Sequence, residues 1–355
     1  MTAFDAVAVI VSQAVEARVF PGAAAEVGSS HGVLWRRAWG RLTFDTGSAV
    51  TDVDTPFDLA SLTKVLATTS VLMRLNADGK LRLDEPIATS LREWRGTDRE
   101  DVTIRDLLAH ASGLPARLVD ASPVGRRELE HDICTMPLEY PPRTQSMYSD
   151  LGFILLGFLA EDRGGASLAD QFDAIWTRLG AEVLVFDLPP QMKRRAAPTL
   201  PMDDDPRRGR VLAGEVHDVY AAALRGVAGH AGLFGTAPAV GTFARSLLRA
   251  ARGASDVPAP LSAKMITAFV ARTTVPGSSR ALGWDTMLPG SSCGGRMSSR
   301  AFGHTGFTGT SLWIDPERSA YVVLLTNRVH PSRGNEAIAQ VRPAVHDAVM
   351  EALGD

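Results

Sequence analysis

The stretch Phe57–Lys64, which reads FDLASLTK, combines a strong helix signal with a reactive pair of side chains. Ser61 and Lys64 lie three residues apart at the start of an apolar segment that contains no proline, which is typical of a helix. Residues at i and i+3 share a helix face, so the Lys64 ammonium can approach the Ser61 hydroxyl. A buried lysine with a lowered pKa would accept the serine proton and create a nucleophile. A surface helix also carries Ser-x-x-Lys by chance, but the chain has only four lysines.

The bulk composition describes a chain with a sizeable core and little net charge. Its 355 residues are 45% hydrophobic and carry a formal net charge of −3, which fits one large domain or two closely packed ones. This balance argues against a nucleic-acid-binding surface and a polybasic membrane patch. The two cysteines, Cys134 and Cys293, form no metal or redox motif. His217, Asp218 and His230 lack metal-ligand spacing, so we expect neither a metal nor a cofactor.

The first residues contain no positively charged region of the kind that opens a secretory signal. Their apolar run, 7–11, is too short to span a bilayer. The sequence as written therefore favours a cytoplasmic protein without a membrane span. A periplasmic or other extracytoplasmic location stays open if a signal has been removed.

Strand patterns gather at both ends of the chain, with helical patterns between them. A hairpin is predicted over 23–39 after a first helix at 4–19, a strand over 281–287, and a helix near 336–353. The fold class is therefore α+β: an antiparallel sheet flanked by N- and C-terminal helices, with an inserted all-helical domain. We place the sheet domain at 1–75 and 265–355 and the inserted domain at 76–264.

Some segments carry weaker patterns. The hairpin turn matches Gly-x-Ser-x-Gly, but a nucleophile elbow needs strand, turn and helix, so Ser30 is rejected. His110 ends a short predicted helix and reads as structural. The proline-rich segment 116–143 is predicted as loop. The glycine-rich segment 226–235 must be a tight loop, which makes His230 a candidate for substrate binding.

A second polar cluster, Tyr148-Ser149-Asp150, comes directly before an apolar helix. Ser149 or Asp150 can cap that helix. Tyr148, if it lies near a lysine ammonium, can act as a general base or as a proton relay. The two interpretations are compatible, and both stay open.

The order of Ser61-x-x-Lys64, Tyr148-Ser149-Asp150 and His304-Thr305-Gly306 resembles the triple signature of the serine β-lactamase and penicillin-binding protein superfamily. A tyrosine in the second motif makes the chain most similar to the class C β-lactamase branch, with its D-alanyl-D-alanine carboxypeptidase and esterase relatives. The segments 214–218 and 226–234 resemble a penicillin-binding-protein-4-like subgroup. The resemblance covers roughly residues 20–330.

The resemblance implies that Ser61 attacks a carbonyl to form an acyl-enzyme while Lys64 and Tyr148 move the proton. It places the oxyanion between the backbone N–H groups of Ser61 and Phe307, with Thr305 and Gly306 beside it. The implied partners are a small ester or amide, a β-lactam or a D-amino-acid peptide. Oligomeric state stays open.

Two positions depart from the family pattern. His304 replaces the lysine of the third motif and is mostly neutral near pH 7, which weakens the charge expected for a substrate carboxylate. Asp150 replaces an asparagine and offers only acceptors when ionised. Both changes argue against an efficient β-lactamase. They suit an esterase or amidase for a neutral or unusual acyl group, or a peptidase with another carboxylate-binding residue. The alternative is a catalytically weak receptor that binds penicillin or muropeptides.

Overall fold

Strands from both ends of the chain form one six-stranded antiparallel sheet. A computed structural model describes residues 3–118, 125–203, 205–257 and 260–354. The strand order is β2-β1-β9-β8-β7-β6. The bounds are β1 Gly22–Ser29, β2 Gly32–Gly40, β6 Asp285–Thr286, β7 Phe302–Thr305, β8 Ser311–Asp315 and β9 Ala320–Thr326. The N-terminal hairpin thus pairs directly with the C-terminal strands, through β1 and β9.

Both faces of this sheet are covered by helices. Along β9, Val322 and Leu324 face one apolar cluster while Val323 and Leu325 face another, because successive side chains point to opposite faces. The first cluster is covered by α1 (Asp5–Glu16) and α11 (Ile338–Leu353), and the second by α9 (Ala237–Ala251). Every residue of β9 is buried, as a strand covered on both sides requires.

The rest of the chain is mainly helical. A π-helical turn at Lys64–Thr68 leads into α2, and a small sheet of order β3-β5-β4 lies in this part of the molecule. The helices and strands of this part of the chain are, in order, β3 Phe57–Asp58, α2 Thr69–Ala77, α3 Ile104–Leu108, α4 Arg126–Thr135, α5 Asp150–Gly164, α6 Leu168–Trp176, β4 Leu184–Val185, α7 Pro190–Lys193, α8 Val219–Ala223, β5 Phe234–Gly235 and α10 Ala263–Val270. In the described part of the chain, no helix has the length and apolar character needed to cross a membrane.

The predicted fold class is confirmed, whereas several local predictions are wrong. Helix α4 lies within the segment 116–143 that was predicted as loop; residues 119–124 of that segment lie outside the described part. Of the strand predicted over 281–287, only β6 forms, since Gly283 has a φ of +85° that breaks the extended chain before it. The middle of the chain also contributes two short strands to the small sheet.

The proposed domain limits remain a prediction. Helix α9 comes from the segment 76–264 assigned to the inserted domain, yet it packs against β1 and β9 of the large sheet.

The glycine-rich loop before β5 lies directly against helix α5. A Cβ on Gly157 of α5 would lie 2.8 Å from the backbone nitrogen of Gly229 and 3.0 Å from its Cα. The Thr68 hydroxyl donates to the Gly229 carbonyl (2.6 Å), so the π-helical turn holds the same loop from its other side. The contact between α5 and this loop therefore sets the position of the next residue, His230.

We predict that Gly157→Ala destabilises the protein, because the added methyl group meets backbone rather than a flexible side chain. Overpacking costs about 1–3 kcal/mol, against a gain of roughly 1 kcal/mol in helix propensity. The urea midpoint should fall relative to wild type. Gly47→Ala is the control, since a Cβ there meets nothing within 4 Å. Equal midpoints for the two variants would contradict the prediction.

Candidate active site

The structure brings Ser61, Lys64 and Tyr148 together as the motifs predict. The Ser61 hydroxyl oxygen accepts a hydrogen bond from Lys64 Nζ at 3.0 Å and another from the Tyr148 hydroxyl at 2.7 Å. Ser61 lies in the turn between β3 and the π-helical segment, and Tyr148 lies just before α5. The nucleophile candidate thus faces two proton-carrying groups at once.

Lys64 is fully buried and makes three polar contacts. Its Nζ donates to Ser61, to Asp150 Oδ1 at 2.8 Å and to the His230 carbonyl at 3.1 Å. Burial alone would lower the pKa of Lys64, but the electrostatic and hydrogen-bond contributions of Asp150 and Tyr148 together outweigh it and raise that pKa above its ordinary value. The expectation of a lysine with a lowered pKa is therefore wrong, because Asp150 pairs with it.

Tyr148 is a neutral phenol at physiological pH. Removal from water raises its pKa, and the nearby Lys64 charge does not reverse this. Its ring packs against the imidazoles of His110 and His304, with centroids 4.8 and 5.8 Å away. His110 accepts the backbone N–H of Ser149 at its Nδ1 (3.0 Å), so it supports the segment that carries Tyr148.

The sequence left open whether Ser149 or Asp150 caps helix α5, and the structure gives the two residues different roles. The Ser149 hydroxyl accepts the Gly152 N–H (3.3 Å) as the N-cap of α5 and donates to the Pro115 carbonyl (2.6 Å). Asp150 is the first residue of the helix, and its carboxylate turns toward Lys64. The cap is thus Ser149, and Asp150 belongs to the polar site.

Asp58, which the sequence analysis did not select, holds the turn that presents Ser61. Its carboxylate accepts the N–H groups of Ala60 (2.8 Å) and His217 (2.7 Å). Ala60 has a φ of +47°, a left-handed conformation that costs a non-glycine residue roughly 1–2 kcal/mol. Burial raises the pKa of Asp58 to about 6. A buried carboxylate therefore stabilises a strained turn directly before the nucleophile candidate.

The turn after β7 is tied to the same segment. The Thr308 hydroxyl donates to the Asp58 carbonyl at 2.7 Å, and the Thr310 hydroxyl donates to the Leu59 carbonyl at 3.0 Å. A Cβ on Gly306 would lie 2.5 Å from the Leu59 oxygen, so only glycine fits there. These contacts, which join residues about 250 positions apart, hold the predicted oxyanion segments side by side.

Both predicted oxyanion donors are free to bind a ligand. Among the hydrogen bonds of the described residues, the backbone N–H groups of Ser61 and Phe307 have no acceptor. Unpaired backbone donors beside a nucleophile are what an acyl-transfer site needs to stabilise a developing oxyanion.

His304 is buried and neutral. Burial and the charges of Arg280 and Lys64 hold its pKa well below the usual range. Its Nδ1 lies 2.8 Å from the Thr305 carbonyl, which assigns the proton to Nδ1, and its buried Nε2 has no hydrogen-bond partner among the residues that the structure describes. His304 therefore brings no positive charge to the site, in agreement with the expectation from sequence.

Two cavities meet at Ser61, Tyr148 and Phe307. The first has a volume of about 290 Å³ and contains Asp150, Asp218 and Arg117 among largely apolar neighbours. The second, of about 310 Å³, is lined by His304 and its two following residues together with charged side chains of the last third of the chain: Arg280, Asp285, Arg328 and Arg342. The nucleophile candidate thus lies between an acidic side and a basic side.

His230 contributes in two ways, neither of which is a direct contact with Ser61. Its backbone carbonyl accepts from Lys64, and its Nε2 lies 2.7 Å from Asp218 Oδ1. Burial would raise the pKa of Asp218, but His230 and Arg117 outweigh it and hold that pKa well below its usual range. Arg117 connects Asp218 (3.4 Å) to Asp150 (3.6 Å). The described residues contain no cluster that could hold a metal ion.

Comparison with known proteins agrees with this geometry. The model of the β-lactamase family matches residues 7–346, so the chain belongs to that family. It is 30% identical over 358 residues to a putative D-alanyl-D-alanine carboxypeptidase of Escherichia coli, covering 90% of this chain and 81% of that protein.

Two further likenesses extend the comparison. The chain is 29% identical to an N-acetylmuramyl-L-alanine amidase of Bacillus subtilis, over 88% of this chain and 78% of that protein. A class C β-lactamase structure from Rhodobacter sphaeroides superposes with a TM-score of 0.78 at 21% identity, covering 99% of this chain and all of the other. The family recognised from the three motifs is confirmed, and the chain is a β-lactamase-fold hydrolase.

The raised pKa of Asp58 predicts a specific pH dependence of stability. A carboxyl group whose pKa is higher in the folded state stabilises the fold fully below the unfolded pKa, near 3.8, and loses this contribution as pH rises through about 6. The loss amounts to about 3 kcal/mol, at about 1.4 kcal/mol per pKa unit. The free energy of unfolding of wild type minus that of Asp58→Asn should therefore fall from pH 4 to pH 7. The exposed control Asp187→Asn should lack this slope, and a rising difference for Asp58→Asn would refute the assignment.

Proposed function

We propose that this protein is a serine hydrolase in which Ser61 attacks a carbonyl and forms an acyl-enzyme. The observation that carries the proposal is the Ser61 hydroxyl oxygen between Lys64 and Tyr148, beside the free N–H groups of Ser61 and Phe307. Each oxyanion donor contributes about 2.7–4 kcal/mol in the transition state. A receptor that only binds its ligand needs neither the proton-carrying pair nor the oxyanion donors, so hydrolysis is favoured over a receptor role.

The second cavity favours substrates that carry a carboxylate. Arg280, Arg328 and Arg342 line it, and Asp285 is the one carboxylate in its lining. Arg342 donates to the carbonyls of Gly306 (2.6 Å) and Thr310 (3.0 Å). Burial lowers the pKa of Arg342 to about 10, which still leaves it charged at neutral pH. These guanidinium groups supply the positive charge that His304 does not.

The substrate class follows from this arrangement. Guanidinium groups bind carboxylates through two parallel hydrogen bonds, which also orients them. We therefore propose an amide or ester whose carboxylate lies on the Arg280 side of Ser61, as in a peptide that ends in a D-amino acid. The names of the carboxypeptidase and amidase relatives support a peptidoglycan-type substrate. Of the alternatives that the missing lysine left open, we favour the peptidase with another carboxylate-binding residue, because Arg280, Arg328 and Arg342 line the cavity beside Ser61.

We predict that Ser61→Ala abolishes both turnover and covalent labelling. A fluorophosphonate or a labelled penicillin should leave one adduct on Ser61, identified by mass spectrometry of the digested protein. Ser30→Ala is the matched control, since Ser30 lies in the β1–β2 turn, bonded to Ser319 (2.8 Å), and should keep label and activity. Undiminished ester turnover by Ser61→Ala would refute the hydrolase proposal. An adduct on Ser61 without turnover of any ester, amide or D-amino-acid peptide would favour the receptor alternative.

Arg280→Gln should discriminate between substrates. Its guanidinium lies over the Tyr148 ring, 5.2 Å from the centroid, and only 3.9 Å from Asp285. Loss of a charged hydrogen-bond partner costs about 1.5–3 kcal/mol, so kcat/KM for a peptide with a free C-terminal carboxylate should fall about 10- to 100-fold. A neutral ester should be little affected. Arg300→Gln, which lines neither cavity, should change neither, and equal losses on both substrates for Arg280→Gln would contradict carboxylate recognition.

A further inference from the structure

All three protons of the Lys64 ammonium are committed to acceptors. Lys64 Nζ donates to Ser61 Oγ at 3.0 Å, to Asp150 Oδ1 at 2.8 Å and to the His230 carbonyl at 3.1 Å. A protonated lysine has three N–H donors and no acceptor. Lys64 in this arrangement therefore cannot take the Ser61 proton unless it first, or simultaneously, gives one of its own away.

Only one of the three acceptors can keep a proton. A backbone carbonyl does not hold one near neutral pH, and Ser61 is the group that must lose its proton. Asp150 is a carboxylate at the shortest of the three distances, 2.8 Å, and its side chain is only 13% exposed. The contacts of Lys64 thus favour proton transfer from Ser61 toward Asp150.

We propose that Asp150 is the terminal acceptor of the Ser61 proton, which reaches it through Lys64. This inference rests on the proposed acyl-enzyme function of Ser61. The assignment changes the role of Asp150 from a substrate contact to a catalytic residue that exchanges a proton with the reacting lysine.

The step balances in atoms and charge. Ser61 Oγ forms a bond to the substrate carbonyl carbon, and the carbonyl π electrons move to its oxygen, between the N–H groups of Ser61 and Phe307. The Ser61 proton passes to Lys64 Nζ while Nζ gives a proton to Asp150 Oδ1. Asp150 ends neutral, Lys64 stays positive and the oxyanion carries the negative charge. When the intermediate collapses, the bond between the carbonyl carbon and the leaving group breaks, and Tyr148, 2.7 Å from Ser61 Oγ, gives its proton to the leaving group. The proton held by Asp150 then passes through Lys64 to Tyr148 and restores the phenol.

The charged groups around Asp150 make the transfer reversible. Lys64, in the π-helical turn before α2, contacts Asp150 Oδ1, and Arg117 lies 3.6 Å from the other oxygen, Oδ2. Beyond Arg117 lie Asp218, the N-cap of α8, and its partner His230 from the loop before β5. Two positive charges, Lys64 and Arg117, thus balance the two carboxylates. The Arg117 guanidinium thus remains beside Asp150 throughout the transfer.

The wild-type pH profile tests the relay without any variant. The relay starts from the paired Lys64 and Asp150 and needs no prior loss of a proton from Lys64, so kcat/KM for a neutral ester should be nearly flat between about pH 9 and pH 7. A free Lys64 amine or a Tyr148 phenolate as base, each with an ordinary pKa of about 10 that the site raises further, predicts a fall of about tenfold per pH unit, or about 100-fold over this range. That fall would overturn the proposal.

Asp150→Asn gives a second test, with a predicted direction. Without the carboxylate, neutral Lys64 must act as the base, and carboxylates in general titrate several pH units below an ammonium. The acidic limb of kcat/KM should therefore move to higher pH by at least about one unit. If neutral Lys64 were already the base, removal of Asp150 would instead move the limb to lower pH. A lower or unchanged limb refutes the relay.

The control for Asp150→Asn is Asp218→Asn, which removes a carboxylate from the same cavity but not from Lys64. Its acidic limb should not move to higher pH. Labelling of Ser61 in each variant separates the two proposals. If Asp150→Asn is labelled and active but the acidic limb of its kcat/KM profile does not move to higher pH, only the relay is refuted. If turnover does not require Ser61, the acyl-enzyme itself is refuted.

Discussion

The buried ion pair between Lys64 and Asp150 is the interaction on which the rest of the site depends. Taking two charges out of water is costly, and a buried pair is retained only with good geometry and further hydrogen bonds. Ser61 and the His230 carbonyl provide those bonds to Lys64, and Arg117 faces the free oxygen of Asp150. The π-helical turn at Lys64–Thr68 and the close contact of Gly157 with Gly229 place these partners. The geometry of the polar site therefore depends on the backbone packing around it.

The turn after β7 of the large sheet forms the other side of the site, and hydroxyl groups rather than charges attach it to the segment that carries Ser61. Thr308 and Thr310 bond the carbonyls of Asp58 and Leu59, and Asp58 in turn holds the left-handed turn at Ala60. The two candidate oxyanion donors, the N–H groups of Ser61 and Phe307, thus belong to segments that are tied to each other by hydrogen bonds. Preorganised donors of this kind need no rearrangement when charge develops in the transition state.

The sequence predicts those parts of the site whose residues are close together in the chain. It does not predict the parts whose residues are distant in the chain and meet only in the folded protein. The i, i+3 spacing of Ser61 and Lys64 is visible in any window, and the apolar strands near β9 carry their own pattern. Asp58, Arg117 and Arg280 reach the site only through the fold, so no window of sequence could assign them. Helix α4 did have a signal: Leu129 and Ile133 are buried four residues apart, and Arg126 pairs with Glu130, but prolines around the segment obscured it.

The two departures from the family pattern have different physical consequences. A neutral His304 brings no positive charge to the site, and three arginines line the cavity beside it. Asp150 lies 2.8 Å from Lys64 and contributes to raising the pKa of Lys64, which favours the ammonium over the free amine. In the proposed mechanism, the first change alters which residues bind the substrate, whereas the second alters which group finally accepts the proton. The proposed relay therefore depends on Asp150, whatever acyl group Ser61 accepts.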